Sequence, residues 1–160
     1  MPLEIERKYL VDKKNLIQEL KPLDGKKIIQ SYLSLDPNRA VRVRVKNDKG
    51  ILTIKGKTQG ISRVEFEYEI PKNEALELMN LCERKPISKT RYELEHKGKV
   101  WEIDLFDGVN EGLLIAEIEL ENESELIDLP EWIVKEVSDD ERFYNLNLYL
   151  NPYKNWSEEL

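Results

Sequence analysis

The chain has 160 residues, 36% of them charged and 40% hydrophobic, and a formal net charge of −7. That is long enough for one domain with a real core, and the acidic balance argues against a general nucleic-acid coat. The single cysteine, Cys82, excludes an intramolecular disulfide; no apolar run approaches the roughly 18 residues of a membrane helix, and the N-terminus lacks a signal peptide's basic and apolar regions, so a cytoplasmic protein without a membrane partner is expected.

Residues 4–11 (EIERKYLV) alternate between charge and apolar side chains. A strand sends successive side chains to opposite faces, so Glu4, Glu6 and Lys8 share one face while Leu3, Ile5, Tyr9 and Val11 share the other. Asp12 caps a short helix over 12–20, with Leu16, Ile17 and Leu20 on one side. Residues 27–35 read as a second strand whose polar side is Gln30, Tyr32 and Ser34. After the turn at Asp36-Pro37-Asn38, residues 41–45 put Arg42 and Arg44 on one face, and a hairpin leads into 51–55, where Thr53 and Lys55 oppose Leu52 and Ile54.

Residues 63–70 place Arg63, Glu65, Glu67 and Glu69 opposite Val64, Phe66, Tyr68 and Ile70, and Pro71 ends the strand. A helix follows over 72–83, with Ala75, Leu78, Met79 and Cys82 at i, i+3, i+4 and i+7. Residues 87–95 carry Lys89, Arg91, Glu93 and Glu95 on one face, and a turn containing His96 leads to 100–106, where Glu102 and Asp104 share a face. The eighth strand spans 113–121 and pairs Glu117 with Glu119 on one side. Beyond it, 130–138 has weak helical character around Trp132, Ile133 and Val137, and 139–142 is placed to start a further helical turn. The sequence shows no linker, repeat or low-complexity tract, so residues 1–160 read as one domain.

Alternating charge is the ordinary outer pattern of a half-wet sheet. Two features favour an inward charged face. The charges segregate by strand, basic on 41–45 and 87–91 and acidic on 65–67, 102–104 and 117–119, whereas a solubilising face mixes signs. The opposite faces are rich in Val, Ile, Leu and aromatic residues, with helices available to cover them. The expected fold is therefore mainly β, an eight-stranded antiparallel closed barrel with a polar bore and helices packed outside. Two like charges about 4 Å apart repel by roughly 4 kcal/mol at an effective dielectric near 20. Clustered Lys and Arg thus call for a polyanion such as a triphosphate, and clustered carboxylates call for Mg²⁺ or Mn²⁺.

Glu4-x-Glu6-x-Lys8 resembles the ExExK signature of the triphosphate tunnel metalloenzymes, or CYTH proteins, and the inward residues of the later strands follow in that family's order over nearly the whole chain. The resemblance implies that Lys8, Arg42, Arg44, Lys55, Lys89 and Arg91 bind a small-molecule triphosphate. It also implies that Glu4, Glu6, Asp104, Glu117 and Glu119 are metal ligands, directly or through water, with the catalytic centre at Glu4, Glu6, Lys8 and Glu119. Glu65 and Glu67 would hold tunnel arginines in place. Arg63, Glu69, Glu93, Glu95 and Glu102 share the inward parity but sit toward strand ends and are expected in solvent. The implied activity is metal-dependent hydrolysis of inorganic tripolyphosphate or a related triphosphate, as in short bacterial triphosphatases. A class IV-type adenylyl cyclase and a non-catalytic polyphosphate or nucleotide binder are the alternatives.

Overall fold

The computed structural model describes residues 3–156. Nine strands form one sheet: β1 (Leu3–Val11), β2 (Lys26–Ser34), β3 (Arg39–Lys46), β4 (Lys49–Gly56), β5 (Ser62–Ile70), β6 (Ile87–His96), β7 (Lys99–Phe106), β8 (Leu114–Glu119) and β9 (Ile133–Glu136). Their order is β5-β4-β3-β2-β6-β7-β8-β1-β9, and an additional β5–β1 pairing closes the first eight into a barrel. All pairs are antiparallel. The eight expected strands and their closure are thus present, with boundaries shifted by a few residues at most.

One edge of β1 is shared by two partners. Leu3, Glu4 and Ile5 pair with Val64, Arg63 and Ser62 of β5, whereas Tyr9, Leu10 and Val11 lie along β9. This arrangement corrects the expected helix over 130–138. Trp132 accepts a hydrogen bond from the backbone N–H of Asp12, and the N–H of Val137 donates to the carbonyl of Lys8, so the segment runs extended beside β1. A free strand edge demands backbone partners, and that demand outweighs a weak local helical pattern.

Among the described residues three short helices complete the fold: α1 (Lys13–Leu20), α2 (Lys72–Met79) and α3 (Asn145–Leu150). Asp12 caps α1 as expected, accepting from the N–H of Lys14. The apolar side of α1, Leu16 and Leu20, packs outside the barrel with Tyr9, Trp101, Ile103, Ala116 and Ile118. The second helix ends four residues earlier than its periodicity suggests and places Ala75 and Met79 on Val43 and Val45. Its approach to β4 needs glycine at position 50, where a Cβ would meet the carbonyl oxygen of Ile70 at 2.8 Å and Ala75 Cβ at 2.9 Å.

The helical turn anticipated over 139–142 is a single 3-10 turn at Glu141–Phe143, capped by Asp140. With α3 it fills one end of the barrel. Phe143, Leu148 and Tyr149 cluster with Tyr32, Ile87, Phe106 and Ile115, which stand opposite lumen residues in the strand register. That end of the bore is apolar and packed. Charged residues line the remainder.

Candidate active site

Strand register brings the inward residues together. Glu6 stands opposite Glu119 and Lys8 opposite Glu117 across β1 and β8, and Glu117 also faces Glu102 of β7. Asp104 faces Arg91 across β7 and β6, Arg44 faces Gln30 across β3 and β2, and Lys55 faces Glu65 across β4 and β5. A cavity of about 290 Å³ opens onto this interior, lined by Glu4, Glu6, Lys8, Arg42 and Lys55 and walled by Ser138, Glu141 and residues 144–147.

The cations are held mainly by carboxylates. Lys8 lies 3.4 Å from Glu117, and Lys55 lies 3.1 Å from both Glu4 and Glu65. Arg42 is 3.7 Å from Glu67 and donates to the hydroxyl of Thr53, which itself donates to Glu67. Asp104 is fully buried and accepts from Lys89 at 2.7 Å and from Arg91 at 2.7 and 2.9 Å. Arg91 also reaches Glu102 at 3.2 Å. Arg44 donates twice to the amide oxygen of Gln30, at 2.9 and 2.7 Å.

Several groups have displaced protonation equilibria. Burial pushes Glu6 well above the usual carboxylate range, and the negative charges of Glu117 and Glu4 push it further. Glu119, although largely exposed, is raised by what burial it has and by the charges of Glu102 and Glu4. Burial raises Glu65 to about 7, aided by a proton shared with Glu4. The same pairing and the Lys55 ammonium outweigh burial at Glu4, which lies below its ordinary value. Burial works against Glu117 too, but Lys8 brings it down to about 2. Asp104 is held far below the aspartate range because Lys89 and Arg91 outweigh its burial. Lys89 is lowered to about 7, since burial and the neighbouring Arg91 and Arg44 exceed the help of Asp104.

The acidic set suits a hard divalent cation in chemistry: it offers only oxygen ligands, and Glu6 and Glu119 are disfavoured as anions by the carboxylates around them. Among the described residues no three such side chains converge tightly enough to hold an ion as they stand. Glu4 is drawn to Lys55 and Glu117 to Lys8. Asp104, expected as a ligand, has its carboxylate committed to Lys89 and Arg91. Glu67 does contact an arginine, whereas Glu65 holds a lysine.

Other site residues escaped the sequence reading. Arg63 was expected in solvent; instead it lines the cavity and donates to the carbonyl of Gly56 at 3.1 and 2.9 Å. Glu102, also placed in solvent, braces Arg91. Inward parity was the available signal for both. Tyr144, whose ring centroid lies 5.9 Å from the Lys8 ammonium, and Asn145, which accepts from Lys89 at 3.4 Å, belong to the C-terminal segment and carried no sequence signal.

Residues 2–144 match the CYTH domain family. Over 159 residues the chain is 48% identical to an inorganic triphosphatase of Acetivibrio thermocellus, covering 99% of this chain and 100% of that protein. An inorganic triphosphatase of Nitrosomonas europaea is 30% identical over 152 residues, 92% of this chain and 97% of the relative. The solved structure of the inorganic triphosphatase NE1496 superposes with a TM-score of 0.64 at 29% identity, covering 92% of this chain and 97% of that one.

Proposed function

The chain belongs to the CYTH domain family, and we propose that it hydrolyses the terminal phosphoanhydride of inorganic tripolyphosphate with a divalent metal ion, Mg²⁺ or Mn²⁺. The observation that carries this reading is the gathering of Lys8, Arg42, Arg44, Lys55, Lys89 and Arg91 around one bore that also holds Glu4, Glu6, Glu117 and Glu119. The likeness to inorganic triphosphatases across the whole chain supports it. We read residues 1–160 as one cytoplasmic domain acting on a small-molecule substrate, without a nucleic-acid partner. No helix among the described residues is long and apolar enough to cross a membrane.

In this reading Glu4, Glu6, Glu117 and Glu119 hold the metal, which supplies concentrated positive charge against the phosphoryl oxygens. The chain's own cations grip the substrate. Phosphoryl transfer builds charge on the equatorial oxygens, and ammonium and guanidinium groups already held in place stabilise it without reorganising. Asp104 keeps Lys89 and Arg91 in place for that task, and Glu67 does the same for Arg42. Glu4, Glu6, Lys8 and Glu119 form the catalytic centre, where attack by water is aligned with the bond that breaks.

The test is incubation with tripolyphosphate or ATP in Mg²⁺ or Mn²⁺, following orthophosphate, pyrophosphate and cyclic AMP together. Orthophosphate from tripolyphosphate is expected. Cyclic AMP with pyrophosphate would make the chain a cyclase, and tight binding of tripolyphosphate with no product in either metal would make it a binder.

A proton accompanies binding. Burial and the neighbouring arginines lower Lys89 to about 7 against the help of Asp104, and an adjacent phosphate favours its charged form. Tripolyphosphate binding to metal-free protein at pH 8 should therefore take up more protons in the parent than in Lys89→Arg, whose guanidinium stays charged. Affinity in the parent should fall more steeply as pH rises from 7 to 9. Calorimetry in buffers of different ionisation heat measures the difference; equal uptake in the two proteins would reject it.

A further inference from the structure

Of the six cations assigned to phosphate, five stand within 4 Å of a carboxylate: Lys8, Arg42, Lys55, Lys89 and Arg91. Arg44 does not, among the described residues. Its guanidinium is held instead by a neutral side chain, the carboxamide of Gln30, through Nε and one terminal nitrogen. Gln30 is fully buried and lies in register with Arg44 on one side and Ile87 on the other.

An arginine only donates, so Gln30 must present its oxygen to Arg44, which fixes the orientation of the carboxamide. Its nitrogen then faces away from Arg44 with two N–H groups to offer. That Nε2 is buried and has no hydrogen-bond partner among the described residues, and neither has Nε of the neighbouring Arg42. Buried donors are normally satisfied, so two unpartnered donors at neighbouring inward positions of β2 and β3 point to an acceptor that they lack.

We infer that Gln30 is a phosphate-positioning residue: it orients Arg44 without neutralising it and donates its own Nε2–H to a phosphoryl oxygen of the bound triphosphate. This rests on the triphosphate reading of the bore. The chemistry explains why an amide stands here. A glutamate would grip Arg44 equally well but cancel its charge, and an apolar side chain would leave the guanidinium unheld. Burial, together with Arg42 and Arg91, already pulls Arg44 down to about 9, so this corner of the chamber is short of negative charge.

The experiment titrates tripolyphosphate into metal-free parent, Gln30→Glu and Gln30→Met, by calorimetry and by ¹⁵N–¹H spectroscopy of side-chain amides. The Gln30 amide pair is assigned by its loss in Gln30→Met. In the parent that pair should shift and gain protection from exchange on saturation. Gln30→Glu should bind at least tenfold more weakly while its thermal midpoint is not lowered, because Arg44 remains held. An unshifted amide pair in saturated parent, or Gln30→Glu binding within twofold of the parent, overturns the inference and leaves the triphosphate reading standing. Failure of the parent itself to bind tripolyphosphate overturns both. If Gln30→Glu does not fold, the amide shift in the parent still decides.

Discussion

Asp104→Ala is expected to destabilise the fold by about 3–5 kcal/mol, a large fraction of the roughly 5–15 kcal/mol typical of a domain. Asp104 sits fully buried between Lys89 and Arg91, and removing it leaves Lys89, Arg91 and Arg44 facing one another with only Glu102, on Arg91, as a paired anion among the described residues. Urea unfolding monitored by tryptophan emission measures the loss. Tripolyphosphate should reverse part of it: an anion present at about 100 times its dissociation constant adds about 2.7 kcal/mol. The pH dependence has a definite sign. Because the folded carboxyl lies far below its unfolded value, its contribution is present above about pH 4 and fades as pH falls toward the folded pKa. The variant should lack that component of acid sensitivity. A variant as stable as the parent in the absence of anion would contradict the pairing.

Glu4→Gln and Glu119→Gln are each expected to lower turnover by roughly 10²–10³-fold, the rate equivalent of several kcal/mol of lost metal-borne charge stabilisation. The amide keeps the shape of the side chain and removes the anionic oxygen. Glu119 is exposed, so its replacement should leave far-ultraviolet circular dichroism and the thermal midpoint unchanged. Glu4 bridges to Lys55, yet Lys55 retains Glu65 at 3.1 Å, so that variant should also stay folded. Metal-free binding of tripolyphosphate should survive in both, because the cations are intact. Full turnover in both variants would remove the metal assignment.

The barrel was legible because its signal has a period of two. In β3 and β5 the charged and apolar residues separate cleanly enough that parity alone divides bore from coat. Parity does not say which strands meet. Lys55 finds Glu4 across the closing seam, and Lys8 finds Glu117 across 109 positions of chain, through pairings fixed only when the sheet closes. For that reason the carboxylates could be assigned to the bore but not to partners, and Asp104 looked like a metal ligand when its neighbours are cations. β9 was missed because four residues on a sheet edge answer to the exposed backbone of β1 more than to their own pattern. Gln30 reads in the sequence as an ordinary polar strand residue, because its role depends on Arg44 across the β2–β3 pairing.

The two-partner edge of β1 also bears on how the molecule is made. Synthesis runs from β1 toward β9, so Glu4, Glu6 and Lys8 are made before the other described strands, yet Glu6 pairs with Glu119 and Tyr9 with Glu136. The strand made first is completed by the strand made last. Pairings of such long sequence separation fold slowly, and a ribosome-bound chain halted before β8 should carry half of a metal site with nothing opposite it. Catalytic competence would then appear only after β8 has been made and paired with β1.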